Sequence, residues 1–312
     1  MAVMIHNFDQ LLSHVKQLPK KRIVVVYPNN AETFTAVTES EEKLNVDVDL
    51  VGDAVAIHAG LREAGGDEGK FHIHDQSDVR SALQFAIGLV RDGKGDILMK
   101  GSVDTSTMMK AVLSEESGLR LGRLLSDIFI MEYPERPDNK FIMITDGGMT
   151  LAPDLPNKIE LVRNAVEVAH ALGNTEPKVA ILSATEFVLP NLPSTLDAAA
   201  LSKMNERGQI KGCVIDGPLA LDNALSPAAA EEKGIRSPVA GKAEILVAAN
   251  IESANSLAKS TTYFANMRLA HVIVGARIPI LIPSRADKSD AKLLSVAMGI
   301  VMSSVSASRV PA

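Results

Sequence analysis

Short apolar stretches rich in Val and Ile alternate with amphipathic stretches along the chain, and this alternation limits its fold more than any other feature. Several of the short stretches are continuously apolar, as expected of parallel strands covered on both faces. The strands predicted in this way are Arg22–Tyr27, Val46–Val51, Lys70–His74, Asp96–Met99, Lys140–Thr145, Lys178–Leu182, Gly212–Ile215, Glu244–Val247 and His271–Val274. Strand, helix and strand in this order predict an α/β fold with mostly parallel sheets.

Two of the intervening stretches have the periodicity and the ends of helices. Ser77 is the predicted cap of one helix, which ends at Gly93, and Asn157 precedes another, which ends at Gly173. Apolar residues recur every three or four positions in both, so they share one face. Because ligands of such folds bind outside the carboxyl ends of the strands, we expect the chemistry in loops that follow strands.

The size and the charge of the chain limit its possible partners. A chain of 312 residues is long enough for two α/β lobes. The net charge is −6 and no Lys/Arg-rich tract occurs, so nucleic acid is not an expected partner. Cys213 is the only cysteine, which fits a reducing compartment. The N-terminus turns polar too soon for a signal peptide, and no apolar stretch approaches the roughly 20 residues that span a bilayer. These features predict a cytoplasmic protein that does not bind membranes.

The segment Met99–Leu113 is a first candidate for ligand binding. A strand ends there, Gly101 makes the turn, and a helix begins near Thr105 or Ser106. The N–H groups at the helix start and the hydroxyls of Ser102, Thr105 and Ser106 would bind an anion, and Lys100 adds positive charge. An ordinary strand-to-helix loop with a capping hydroxyl explains the same residues.

Two arginines form a second candidate. Arg120 and Arg123 are three residues apart, so they would share a face of a helix. Guanidinium groups match the oxygens of phosphate bidentately. A solvated face with a surface ion pair is the alternative interpretation.

The segment Gly275–Ser295 is a third candidate, because Ser284, Arg285, Asp287 and Asp290 follow a short apolar stretch. A hydroxyl, a guanidinium and a carboxylate on one loop could stabilise an oxyanion, bind phosphate and remove a proton. Alternatively, Ser284 caps the following helix and Asp287 lies in its first turn.

Metal and thiol chemistry are not predicted. His72 and His74 alternate on a strand and face the same way, but no third ligand accompanies them. Cys213 lies in an apolar stretch and is interpreted as a core residue.

Together these stretches resemble the phosphate acetyl/butyryltransferase family, and its butyryl branch most. The matching blocks occur in order over most of residues 98–302: LMKGSVDTSTMMKAVL, GLRLGRLLS, TDGGMTLAPDLPNKIELVRNAV, RGQIKGCVIDGPLALDNALS, VAGKAEIL and IPSRADKSDAKLLS. The sequence departs from the butyryl branch at TDGGM, where that branch usually has TDAAM, and at Ser253–Asn255, where a Gly-Asn pair is more usual. We expect a looser pocket from the first departure and a stiffer loop near coenzyme A from the second.

The resemblance implies two three-layer α/β/α lobes with mostly parallel sheets and a cleft between them, a fold like that of the isocitrate/isopropylmalate dehydrogenases. The first lobe would comprise residues 1–134 and 285–312, and the second residues 135–284. A homodimer or larger assembly is also implied, with no metal requirement and with coenzyme A as a substrate.

The implied reaction exchanges a short acyl group, butyryl or branched, between coenzyme A and inorganic phosphate. Ser284 and Arg285 match the serine and arginine of the family. The acetyl branch has its aspartate base seven residues after the serine, where Ala291 stands here, so Asp290 is the predicted base ahead of Asp287. The predicted phosphate and acyl-phosphate ligands are Lys100, Gly101, Ser102, Thr105, Arg120 and Arg123. The predicted coenzyme A ligands are Asp146, Arg207 and Lys259.

Other functions fit less of the sequence. A phosphate acetyltransferase would share most of these motifs, and Ala291 leaves open a coenzyme A-binding homologue without catalysis. A dehydrogenase of the isocitrate type would need a cluster of metal-binding aspartates and a nicotinamide site, and the sequence provides no convincing example of either.

Overall fold

The computed structural model describes residues 4–133, 136, 140–284 and 287–306. Its strands are β1 (Lys21–Val26), β2 (Val46–Gly52), β3 (Phe71–Asp75), β4 (Ile97–Lys100), β5 (Ser126–Met131), β6 (Ile142–Thr145), β7 (Lys178–Leu182), β8 (Val214–Leu219), β9 (Ile245–Val247), β10 (Leu269–Val274) and β11 (Ile280–Leu281). Its α-helices are α1 (Phe8–Val15), α2 (Ala31–Lys43), α3 (Ala54–Glu63), α4 (Val79–Arg91), α5 (Thr105–Val112), α6 (Leu155–Ala171), α7 (Pro193–Glu206), α8 (Leu221–Leu225), α9 (Pro227–Glu232), α10 (Ile251–Tyr263) and α11 (Ser289–Ser306).

The chain divides into two compact units. We call Phe8–Arg123 together with Leu269–Ala312 the first unit. The second unit consists of Met1–Asn7 and Leu124–Arg268. The predicted divisions are at residues 134/135 and 284/285 instead. The difference arises because β5 and β6, which lie on either side of the first predicted division, pair with each other and so belong to one unit.

The first unit contains strands in the order β3-β2-β1-β4-β11-β10. All neighbouring pairs are parallel except the hairpin of β10 and β11. Helix α4 packs on β1, β2 and β4, and α11 packs on β10, β11 and β4. Every residue of β4 and of β10 is buried, as expected of strands covered on both faces.

The second unit contains strands in the order β5-β6-β9-β7-β8. The pair β5–β6 is antiparallel and the other pairs are parallel. Helix α6 packs on β5, β6 and β9, and α7 packs on β7 and β8. The predicted α/β fold with mostly parallel strands is therefore confirmed, and β5 and β11 are strands that the prediction missed.

The helix starts differ from the predicted ones by one to three residues. Asp78 caps α4 through a 2.8 Å hydrogen bond from the Ser81 N–H, and Asp154 caps α6 in the same way from the Asn157 N–H. Ser77, the predicted cap of α4, does not fill that role, and Asn157 lies inside α6 rather than before it. Asp, Asn and Ser are nearly equal as caps, so the sequence does not decide between neighbours.

Candidate active site

Three loops of the first unit follow the carboxyl ends of neighbouring parallel strands, β1, β4 and β11. Strand β4 pairs in parallel with β1, where Lys100 lies opposite Val26, and with β11, where Met99 lies opposite Leu281. The residues that follow these strands are therefore neighbours. The segment Lys100–Ser102 and the segment that leads to Ser284 leave the sheet side by side, as the sequence analysis expected of ligand-binding loops.

Gly101 allows the loops after β1 and β4 to touch. Its N–H donates to the Val26 carbonyl at 2.8 Å, and the Ser102 N–H donates to the Tyr27 carbonyl at 2.9 Å. A Cβ on Gly101 would lie 2.6 Å from both carbonyl oxygens and 2.8 Å from the Pro28 nitrogen. Only glycine fits this close approach without a shift of the backbone.

The polar groups of this loop bond to the loop after β1. The Ser102 hydroxyl donates to Asn29 Oδ1, and Asn30 Nδ2 donates to Ser102 Oγ at 3.2 Å. Asn30 also caps α2. Lys100 is 4% exposed, and its Nζ donates to the Gly101 carbonyl at 3.1 Å. The predicted ligands Lys100, Gly101 and Ser102 thus form one connected structure.

The start of α5 is not the free anion site that the sequence suggested. The Asp104 carboxylate caps this helix, accepting the Thr107 N–H at 3.0 Å and the Ser106 hydroxyl at 2.6 Å. These hydrogen bonds, that of Ser106 first, hold the pKa of Asp104 below its usual range. A carboxylate already occupies this position, so a second anion would meet like charge. Thr105 is the first residue of α5 and is half-buried.

Ser284 and Asp287 form a hydrogen-bonded turn. The Ser284 N–H donates to Asp287 Oδ2 at 2.7 Å, and the Asp287 N–H donates to the Ser284 carbonyl at 3.2 Å. His271 Nε2, on β10, lies 3.7 Å from the same Oδ2. Burial alone would raise the pKa of Asp287, but the interaction with His271, the Ser284 N–H and the charge of Lys292 together hold it below its usual value.

The helix after this turn begins later than predicted. It starts at Ser289, so Asp287 precedes the helix and does not cap it, and Ser284 is not a cap either. Asp290 lies in the first turn of α11 and is exposed. The helix therefore carries Asp290 but not Asp287. Arg285 lies outside the described residues.

The two predicted arginines do not lie on a helix. Gly118 and Gly122 adopt positive φ values of 65° and 70°, which break any helix between them. Arg120 is exposed and pairs with Ala276, in the turn before β11, so its main chain lies at the amino end of that strand. Ser284 follows the carboxyl end of the same strand, so the two residues lie at opposite ends of β11. Arg123 is half-buried and is the last residue of the segment Phe8–Arg123 of this unit.

Asp146 follows β6 in the second unit and is 3% exposed. Its carboxylate accepts four backbone N–H groups, from Asp127, Gly148, Met149 and Thr150, at 2.9–3.1 Å. Burial and the nearby Asp127 carboxylate raise the pKa of Asp146 to about 6, although these N–H groups oppose that change. The Asp146 carboxylate thus holds the loop that follows β6 through hydrogen bonds to its main chain. The other two predicted coenzyme A ligands are exposed, Arg207 at the C-terminus of α7 and Lys259 on α10.

The two departures from the butyryl pattern are in contact with each other. Asn255 Nδ2 donates to the Gly147 carbonyl at 2.8 Å. A Cβ on Gly147 would lie 2.8 Å from the Phe129 ring and 3.2 Å from the Asn255 nitrogen, and one on Gly148 would lie 2.5 Å from Asp127 Oδ2. The space that alanines would need is therefore filled, and the glycines do not produce the looser packing that the sequence suggested.

Metal and thiol chemistry find no support in the part of the chain that the structure describes. In that part, no group of three or more His, Cys, Asp or Glu residues could hold a metal ion, and no helix could cross a membrane. His74 Nε2 is 2.6 Å from Asp49 Oδ1, so this histidine is part of an ion network. Burial raises the pKa of Cys213 to about 11, which leaves an unreactive thiol.

Sequence reasoning missed four residues next to the site. Asn30 follows β1 and bonds to Ser102 after β4, while Glu32 bonds to the first residue of α11. His271 faces Asp287, and Lys292 is buried in α11. The signals were a PNN segment after a strand and a lysine inside the apolar stretch AKLLSVAMGIVM. Ligands of open α/β sheets bind outside the carboxyl ends of the strands, which is where these residues lie.

Comparison with known proteins identifies the family. The phosphate acetyl/butaryl transferase family matches residues 72–300, and the chain belongs to this family. A phosphate butyryltransferase of Clostridium beijerinckii is 40% identical over 296 residues, which are 95% of this chain and 97% of that protein. A phosphate acetyltransferase of Rhizobium meliloti is 40% identical over 292 residues, 94% of this chain and 92% of that protein.

A solved structure agrees with this assignment. The crystal structure of a branched-chain phosphotransacylase from Enterococcus faecalis is similar with a TM-score of 0.80 and 29% identity, over 91% of this chain and 99% of that one. The resemblance on which the sequence analysis relied is therefore confirmed at the level of the family.

Proposed function

We propose that this protein exchanges a short acyl group between coenzyme A and inorganic phosphate. Membership of the family supports this proposal, and one observation carries it within the structure: Ser284 and Asp287 form a hydrogen-bonded turn after β11, and the parallel neighbour of β11, β4, ends at the buried Lys100. Coenzyme A acts as a substrate here. The homodimer or larger assembly and the cytoplasmic location stay predictions.

The proposed reaction needs a base, an oxyanion donor and cations. Asp290 takes the proton of the coenzyme A thiol, whose unperturbed pKa is about 8.5, so modest assistance is enough. The thiolate attacks the carbonyl carbon of the acyl phosphate, and the Ser284 hydroxyl donates to the oxyanion. The bond between the carbonyl carbon and the phosphate oxygen then breaks, and Arg285 with Arg123 and Lys100 neutralises the released phosphate.

The acyl preference tests which branch the protein follows. Each buried CH₂ contributes about 0.8 kcal/mol, so we expect butyryl- and branched four- to five-carbon acyl-CoA to exceed acetyl-CoA about tenfold in kcat/KM. The measurement is phosphate-dependent thiol release across acyl-CoAs of two to six carbons. An acetyl optimum would support the alternative function, phosphate acetyltransferase, which the relative from Rhizobium meliloti favours. No release with any acyl-CoA would indicate a coenzyme A-binding homologue without catalysis.

The two arginines make a matched pair for a test of phosphate binding. We expect Arg123→Lys to raise the phosphate KM about tenfold with little change in the acyl-CoA KM, because lysine keeps the charge and loses the bidentate fork. Arg120→Lys is the control, since the main chain of Arg120 lies at the opposite end of β11 from Ser284. Steady-state kinetics with phosphate as the varied substrate measure both. If the control raised the phosphate KM and Arg123→Lys did not, their roles would be exchanged.

A further inference from the structure

Lys292 is a lysine in the interior of the first unit. The residue is 1% exposed, and its neighbours Leu293 and Leu294 in α11 are buried as well. Lysine is almost never fully buried unless its ammonium group is paired. Burial lowers the pKa of Lys292, while the carboxylates of Asp287 and Glu32 oppose this change. Burying an ammonium group costs free energy, which its hydrogen bonds and neighbouring charges must offset.

The ammonium group of Lys292 bonds to the turn that carries Ser284. Its Nζ donates a hydrogen bond to the main-chain carbonyl oxygen of Asp287. The carboxylate of Asp287 accepts the Ser284 N–H at 2.7 Å, and the Asp287 N–H donates to the Ser284 carbonyl at 3.2 Å. Asp287 takes part in all three hydrogen bonds, so it links the ammonium group of Lys292 to the main chain of Ser284.

Other elements of the first unit hold the same turn from different sides. Glu32, in the first turn of α2, accepts the Ser289 N–H at 3.0 Å, where α11 begins. His271, on β10, lies 3.7 Å from the Asp287 carboxylate. Lys292 holds the turn through its hydrogen bond to the Asp287 carbonyl. Its donor is charged, and such hydrogen bonds are stronger than neutral ones.

We propose that Lys292 is a positioning residue for acyl transfer, which holds Ser284 in its reactive place through the main chain of Asp287. This proposal rests on the proposed function of the same site. Methionine would fill a similar volume without the cost of a buried charge, but it would donate no hydrogen bond. The site therefore uses the donor and the charge of Lys292 rather than its size.

The test replaces Lys292 by methionine in the full chain. We expect Lys292→Met to lower kcat about 10- to 100-fold with near-normal KM for acyl-CoA and phosphate, because a displaced donor is missed in the transition state. Hydrogen exchange measured by mass spectrometry supplies a readout that does not depend on catalysis. We expect peptides covering residues 280–290 to exchange about tenfold faster, with little change elsewhere in the chain.

Lys21→Met is the matched control. Lys21 is 9% exposed in the same unit, and its Nζ lies 3.7 Å from Asp96 Oδ1, at the amino ends of the strands. We expect this variant to lose stability and keep kcat. If Lys292→Met does not fold, Lys292→Gln replaces it; glutamine removes the charge but keeps an N–H donor on a shorter side chain, so we expect smaller changes in kcat and in exchange, in the same direction.

The outcomes separate the two proposals. Normal kcat and unchanged exchange in Lys292→Met would overturn the positioning role, and so would equal losses of kcat in Lys292→Met and Lys21→Met. If the wild-type protein transfers no acyl group, the proposed function fails. The exchange of residues 280–290 then still decides whether Lys292 holds the turn.

Discussion

Asp290→Asn is expected to lower kcat by about 10²-fold or more and to leave the KM for coenzyme A close to that of the wild type. Asp290 is exposed in the first turn of α11, close in sequence to the turn that holds Ser284. Asparagine keeps the size of the side chain but accepts no proton at neutral pH. The measurement is the initial rate of thiol consumption from coenzyme A and butyryl phosphate.

Asp287→Asn is the contrasting variant, since that carboxylate is committed to structure. It accepts the Ser284 N–H and lies 3.7 Å from His271 Nε2, and a carboxyl whose pKa is held low is a weak base. We expect a loss of about 1–2 kcal/mol in the free energy of unfolding, with a smaller loss of kcat than in Asp290→Asn. The folded-state pKa lies below the unfolded value of 3.8, so this stabilisation is present above about that pH and is lost as the pH falls through the folded-state pKa.

The pattern across the two variants assigns the base. A large kinetic loss in Asp287→Asn with near-normal turnover in Asp290→Asn would exchange the two roles. Near-normal turnover in both would place the base on a segment outside the loop and the start of α11. The difference in stability between wild type and Asp287→Asn should shrink below about pH 4, which urea unfolding at several pH values can check.

The fold could be predicted from the sequence because buried parallel strands are continuous apolar runs. Each of the nine predicted strands overlaps an observed one, and Lys178–Leu182 has the same ends. Strand β11 was missed because it has only two residues, in a segment bounded by Pro279 and Pro283, too few to show any period. Strand β5 is antiparallel to β6 and lies just before residue 134, where the first lobe was predicted to end. Local patterns do not show which strands pair.

The site was predicted in its segments but not in its contacts. Lys100, Gly101, Ser102 and Ser284 come together because β4 pairs with β11, a pairing that no local pattern contains. The helical face proposed for the two arginines was wrong because glycines with positive φ, Gly118 and Gly122, lie on either side of Arg120. Propensity alone does not show whether a glycine is helical or left-handed, since it adopts both readily.

Gly101→Ala is expected to be among the most damaging substitutions of a small residue in the first unit. The added methyl carbon would lie 2.6 Å from the carbonyl oxygens of Val26 and Tyr27 and 2.8 Å from the Pro28 nitrogen. All three atoms belong to the backbone, so no side-chain movement relieves the overlap. We expect the free energy of unfolding to fall by about 3 kcal/mol, together with a loss of kcat, because the loops after β1 and β4 must separate.

Gly88→Ala is the control for this prediction because it makes the same chemical change in the same unit. Gly88 lies inside α4, and the nearest atom to an added Cβ is Arg91 Nη2 at 3.9 Å. Alanine is a better helix former than glycine, so we expect this variant to gain about 0.5–1 kcal/mol with unchanged kcat. Urea unfolding and steady-state kinetics on both variants decide the matter. Equal stability of the two variants would show that the loops after β1 and β4 do not approach each other at Gly101, and the site built on that approach would have to be redrawn.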